Sequence, residues 1–104
     1  MIRLHVLHHA NEGPIFGLAI IEELRHQGYQ IRAGTMYPML HGLERKGYLA
    51  SRYERPEGRE PRIYRITPPG RRALEIGRTK VRELFGELIE GHRHPKTTDR
   101  RSAR

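Results

Sequence analysis

Cysteine is absent from this 104-residue sequence, as is tryptophan, and there are only two phenylalanines. Without thiols, disulfides, thiolate zinc fingers, iron–sulfur clusters and cysteine nucleophiles are all excluded, which suits a reducing compartment. No apolar run approaches the ~20 residues needed to span a bilayer. The opening Met1-Ile-Arg-Leu-His-Val-Leu-His-His is interrupted too often by Arg and His to read as a signal peptide. Together these absences predict a soluble, cytoplasmic protein with no membrane partner. Catalytic signatures are missing as well: there is no Gly-x-Ser-x-Gly, no His-Glu-x-x-His and no phosphate loop. Glu22 and Glu23 are adjacent, so a helix would point them in different directions. The expectation is a protein that is not an enzyme and needs no cofactor.

Acidic residues are in short supply: 12 Asp and Glu face 20 Lys and Arg, for a net charge of +8. A small basic protein attracts polyanions, nucleic acid first among them. The length fits one domain. With 36% hydrophobic residues the core is lean, and a partner subunit would add burial.

Ile2, Val6 and Ala10 recur at i, i+4 and i+8, with Leu4 and Leu7 beside them, predicting an amphipathic helix over 1–11. Glu12-Gly13-Pro14 ends it. Ile15, Leu18, Ala19, Ile21 and Leu24 predict a second helix over 15–27, with Gly28 as its stop. After a short turn over 29–33, a third helix runs to Lys46-Gly47 with Met36, Met39, Leu40 and Leu43 inward. An N-cap at Thr35 would place Pro38 in the first turn, where its missing N–H has no intrahelical partner to lose. Segments 48–55 and 62–66 then flank Pro56-Glu57-Gly58-Arg59-Glu60-Pro61, the pattern of a β-hairpin with a charged tip. Thr67-Pro68 supplies an N-cap and N1 for a last helix from 68 to about 90, striped by Leu74, Gly77, Val81, Leu84 and Leu88. Beyond Gly91 no apolar side chain exceeds Ala103, so the basic tail is expected to be disordered.

The fold class predicted is mainly α with a small β-hairpin (α+β), a winged helix-turn-helix with a C-terminal dimerisation helix. Its divisions are a DNA-binding domain over 1–67, a dimerisation helix over 68–91 and a tail over 92–104.

On the third helix, Thr35, Tyr37, Pro38, His41 and Arg45 fall on the outward face, where such proteins meet the major groove. The competing reading packs Tyr37 under the wing. In the hairpin, Arg59 and Arg62 suit phosphate or minor-groove contact, Arg being favoured there. The alternative is a solvated ribbon of mixed charge. Leu74, Val81, Leu84 and Leu88, flanked by Phe85 and Ile89, form a stripe that a second copy would cover. Ile2, Val6 and Leu7 of the first helix are expected to join that interface. His5 and His9 share a helix face at i, i+4, but two histidines without a third ligand do not make a metal site. No metal is assigned, although a metal-responsive regulator through that face is a rival reading. A winged-helix module that binds protein instead of DNA is another.

At this point the sequence resembles the PadR-like family of transcriptional regulators. The matching runs are Glu12-Gly13-Pro14, the segment Gly34-Thr35-Met36-Tyr37-Pro38-Met39-Leu40 with Leu43-Glu44-Arg45-Lys46-Gly47 after it, and Arg62-Ile63-Tyr64-Arg65-Ile66-Thr67-Pro68-Pro69-Gly70. Where the family often has Ser-Pro, this chain has Arg32-Ala33, which makes the approach to the third helix more basic and adds Arg32 to the expected DNA contacts. The resemblance implies a homodimer, usually a repressor, that binds a pseudo-palindromic operator in double-stranded DNA and is released by a small-molecule effector.

Overall fold

The computed structural model describes residues 1–55 and 61–90. Its elements run α1 (Ile2–Asn11), β1 (Ile15–Phe16), α2 (Gly17–His26), α3 (Ala33–Arg45), β2 (Leu49–Tyr53), β3 (Arg62–Ile66) and α4 (Pro68–Glu90). Chain contacts divide it into a compact unit over Met1–Leu74 and a second from Glu75 onward.

The first unit is built on one apolar cluster. Val6, Leu7 and Ala10 of α1, Ile20, Ile21 and Leu24 of α2, and Met36, Leu40 and Leu43 of α3 meet Leu49, Tyr64, Ile66 and Leu74. The inward residues of α1 and α3 follow the predicted spacing, but in α2 Leu18, expected inward, is 67% exposed, while Ile20, which was not, is 0% exposed. Gly28 and Gly47, at φ +93° and +83°, end α2 and α3. There the N–H groups of Tyr29 and Tyr48 reach back to the carbonyls of Leu24 and Leu43, closing each helix end.

Three sequence expectations change. Residues 15–16 are a strand, and α2 begins only at Gly17. Ile15 pairs with Tyr64 and Phe16 with Ile63, so the hairpin becomes a three-stranded antiparallel sheet in the order β1-β3-β2. An apolar pair this short has no period of its own, and only β3 reveals its pairing.

The second change concerns the start of α3. Arg32, extended at φ −106° and ψ 162°, is its N-cap, without a side-chain bond to the helix. Its carbonyl accepts from Thr35 N and Met36 N, at 3.0 and 2.8 Å. Pro38 therefore lies inside α3. The N–H it lacks would have served the Gly34 carbonyl. Gly34 is exposed, so water can take that place.

The third change is one of covering. Val6, Leu7 and Leu74, assigned above to a dimer interface, are 0%, 4% and 1% exposed within the single chain. Their apolar surface is already removed from water by α2, α3 and the sheet, and none is left to offer a second copy. Ile2 is half-buried against the same cluster.

The start of α4 is as expected. Thr67 Oγ1 accepts from Gly70 N at 3.0 Å and donates to the Gly47 carbonyl, so one hydroxyl caps α4 and ties it to the end of α3. A Cβ on Gly70 would stand 2.1 Å from the Tyr48 carbonyl oxygen, so only glycine fits there.

Taken by itself, the described part of the second unit is a helix with an uncovered apolar face. Leu84, Phe85, Leu88 and Ile89 are 50–73% exposed, and Val81 is half-buried. Among the described residues no helix is long and apolar enough to cross a membrane.

Candidate nucleic-acid interface

The inward face of α3 is fixed by Met36, Leu40 and Leu43, at 0–3% exposure. Helical geometry then turns the residues between them outward. Thr35, Pro38, His41 and Arg45 are exposed along α3, and Arg32 is exposed at its N-cap. Spaced by three or four residues, they form one polar and basic edge on a helix held rigid by its opposite side. Ser51 Oγ donates to Glu44 Oε2 at 2.8 Å, fastening the far end of α3 to β2.

Tyr37 stands apart from that edge. It is half-buried and lies over Gly17, where an added Cβ would come within 2.7 Å of its ring. With Phe16, Gly17, Leu18 and His41 it lines a cavity of about 500 Å³, which Pro61, Arg62 and Tyr64 complete from the sheet side. The rival packing beneath the wing thus describes much of Tyr37, with part of the side chain still open.

Arg62 is also engaged. Its Nη2 donates to the Tyr53 hydroxyl at 2.7 Å, and its guanidinium carbon lies 4.6 Å from the centre of the Tyr53 ring. A guanidinium held by both hydrogen bond and ring face is drawn back along the wing. Burial raises the Tyr64 phenol above its ordinary value, which keeps it protonated beside Arg62. Arg59 lies outside the described residues, as does the tail over 92–104. Arg52, Arg55 and Arg65 are exposed on the strands or just beyond them, and sequence reasoning had not singled them out.

The histidine expectation also changes. His5 Nδ1 and the Tyr29 hydroxyl are hydrogen-bonded at 3.0 Å, with the rings edge-on. Burial, followed by the neighbouring His9 and His8, lowers the pKa of His5 and favours its neutral form. His5 is therefore tied to Tyr29, in the turn that follows α2. The side chains that do come together are His8, His9 and Glu12. His8 and Glu12 at i, i+4 and His9 and Glu12 at i, i+3 are same-face helical spacings, a signal that ending the first helix before Glu12 passes over.

Two helices joined by residues 27–32, the second with a polar outward edge, and a β2–β3 ribbon after it define a winged helix-turn-helix protein. The chain belongs to the PadR-like family of transcriptional regulators, whose family model matches residues 6–76. It is 43% identical over 93 residues to the transcriptional regulator Rv3488 of Mycobacterium tuberculosis, covering 89% of this chain and 87% of that protein. Among solved structures, a PadR family transcriptional regulator from Eggerthella lenta is 30% identical at a TM-score of 0.66, covering 92% of this chain and 81% of that one. A transcriptional regulator from Clostridium thermocellum is 28% identical at a TM-score of 0.71, with 86% and 87% covered. This is a family of transcriptional regulators.

Proposed function

We propose that the protein is a cytoplasmic, sequence-specific DNA-binding regulator, a repressor that acts as a homodimer on a pseudo-palindromic operator. The observation that supports this best is the exposed edge Arg32, Thr35, Pro38, His41 and Arg45 on a helix whose other side is core. Thr35, His41 and the open part of Tyr37 would meet base edges, while Arg32 and Arg45 would neutralise phosphate. Arg59 and Arg62 would add backbone contacts from the wing, Arg62 after release from Tyr53. The net charge of +8 supports a large electrostatic share. The uncovered face of α4, centred on Val81, Leu84, Phe85 and Leu88, supports assembly with a second copy. Two recognition helices would then stand about one DNA turn apart, ~34 Å. A small effector entering the cavity of about 500 Å³ would touch Tyr37 and His41, so ligand and operator would compete for the same side chains.

The test is fluorescence anisotropy against operator and random duplexes over a range of salt. If each subunit neutralises three to five phosphates, the log–log slope should be roughly −5 to −9. His41→Ala and Thr35→Ala should narrow the gap between operator and random DNA, whereas Arg45→Ala should weaken both together. A slope near zero, with the variants indistinguishable from wild type, would rule out this use of α3.

A further inference from the structure

The end of α1 brings together three potential metal ligands that play no part in the reading above. His8, His9 and Glu12 each present one donor atom, and all three lie within 4.8 Å of one another. His8 Nε2 is 3.4 Å from Glu12 Oε2, and the two imidazole rings meet edge-on with centroids 5.2 Å apart. A second observation is independent of that spacing: His9 Nε2 is buried and has no hydrogen-bond partner. A buried ring nitrogen normally finds a donor, an acceptor or an ion. His9 and Glu12 also line a cavity of about 190 Å³ together with Gly13, Pro14, Ile15 and Glu23.

We propose that His8, His9 and Glu12 form a binding site for a divalent late transition metal ion of the zinc, cobalt or nickel class. Two imidazoles and a carboxylate match that class. Calcium and magnesium take mostly oxygen ligands, and this site has only one such side chain. Metal–ligand bonds of ~2.0–2.1 Å require the donors to close to about 3.4 Å apart. Glu12 is exposed and His8 half-exposed, so both can move inward, while His9 stays as the fixed, buried ligand. Glu23 of α2 borders the same cavity and, with water, would complete the coordination. Glu12 is the C-cap of α1 and precedes Gly13-Pro14 and β1. A bound ion would therefore clamp the turn that leads into the β1–β3 pairing.

The experiment is calorimetric titration of the untagged full chain with zinc, with cobalt absorption as a second readout; neither needs DNA. The expected result is one ion per chain and a cobalt spectrum of mixed nitrogen and oxygen ligation. Glu12→Gln changes an exposed side chain, so the fold should be intact by circular dichroism while affinity falls by about tenfold or more. His9→Ala should produce a loss at least as large. The double variant His92→Ala, His94→Ala, at positions outside the described residues, should bind as wild type does. Absence of zinc uptake, uptake unchanged in Glu12→Gln, or uptake abolished in the His92/His94 variant would overturn the site.

Discussion

The third helix and the far half of the fourth have similar amphipathic spacing and opposite fates. In α3, Met36, Leu40 and Leu43 are at most 3% exposed, covered by α2, β2 and the rest of the first unit. In α4, Leu84, Phe85, Leu88 and Ile89 remain 50–73% exposed. Periodicity reports that a helix has an apolar face; it says nothing of what covers that face. Leu74 marks the change along α4 itself, being 1% exposed as the last residue of the first compact unit. The family match ends nearby, at residue 76. The shared pattern thus follows the self-covered unit, and the open apolar face lies beyond it.

The contrast is tested most severely on α4. Leu84→Asp with Leu88→Asp should convert a micromolar dimer into a folded monomer by sedimentation equilibrium, with operator affinity lost alongside. Each large aliphatic left in water costs about 1.5–3 kcal/mol. A wild-type protein that sediments as a monomer would show instead that the α4 face has no second copy to meet.

Leu40→Ala probes the other side of the comparison. Removing a fully buried leucine should cost about 2–5 kcal/mol in chemical denaturation, because the site cannot collapse completely. The core lies within one chain, so that loss should appear at every protein concentration. Melting of the wild type and of conservative α4 variants should instead shift with concentration, as for any linked assembly. A Leu40→Ala penalty that vanished on dilution would place α3's inner face in an interface too.

The smallest effect belongs at the junction between the two behaviours. Thr67→Ala removes both the cap on Gly70 N and the bond to the Gly47 carbonyl. Loss of an N-cap of this kind costs about 0.5–2 kcal/mol. Thermal unfolding should register the change while the sedimentation profile remains that of the wild type.

Much of this arrangement was legible because local rules were strong. The inward residues of α1 and α3, the glycine stops at Gly28 and Gly47, and the Thr67-Pro68 start of α4 all follow from spacing and capping chemistry, whereas α2 turns Leu18 outward and buries Ile20 instead. The β1 strand did not, because Ile15-Phe16 becomes a strand only by pairing with Ile63 and Tyr64. Pro38 pointed away from the true helix start, since its interior position is tolerable only where Gly34 is open to water. Tyr37 looked outward by spacing, yet Gly17 leaves room for its ring to lie down, a vacancy supplied by another helix. Arg62 reads as a phosphate ligand in the sequence, and nothing there announces that Tyr53 holds it across the ribbon.

The sequence by itself determined which faces are apolar, where helices stop, the basic charge and the absence of thiol chemistry, because each depends on neighbours along the chain. Tertiary structure alone decided that Val6, Leu7 and Leu74 belong to one chain's core, that His5 turns to Tyr29, and that Tyr37 lies over Gly17. Those outcomes depend on which distant surface arrives first to cover a side chain or bond to it, and short-range periodicity contains no record of that.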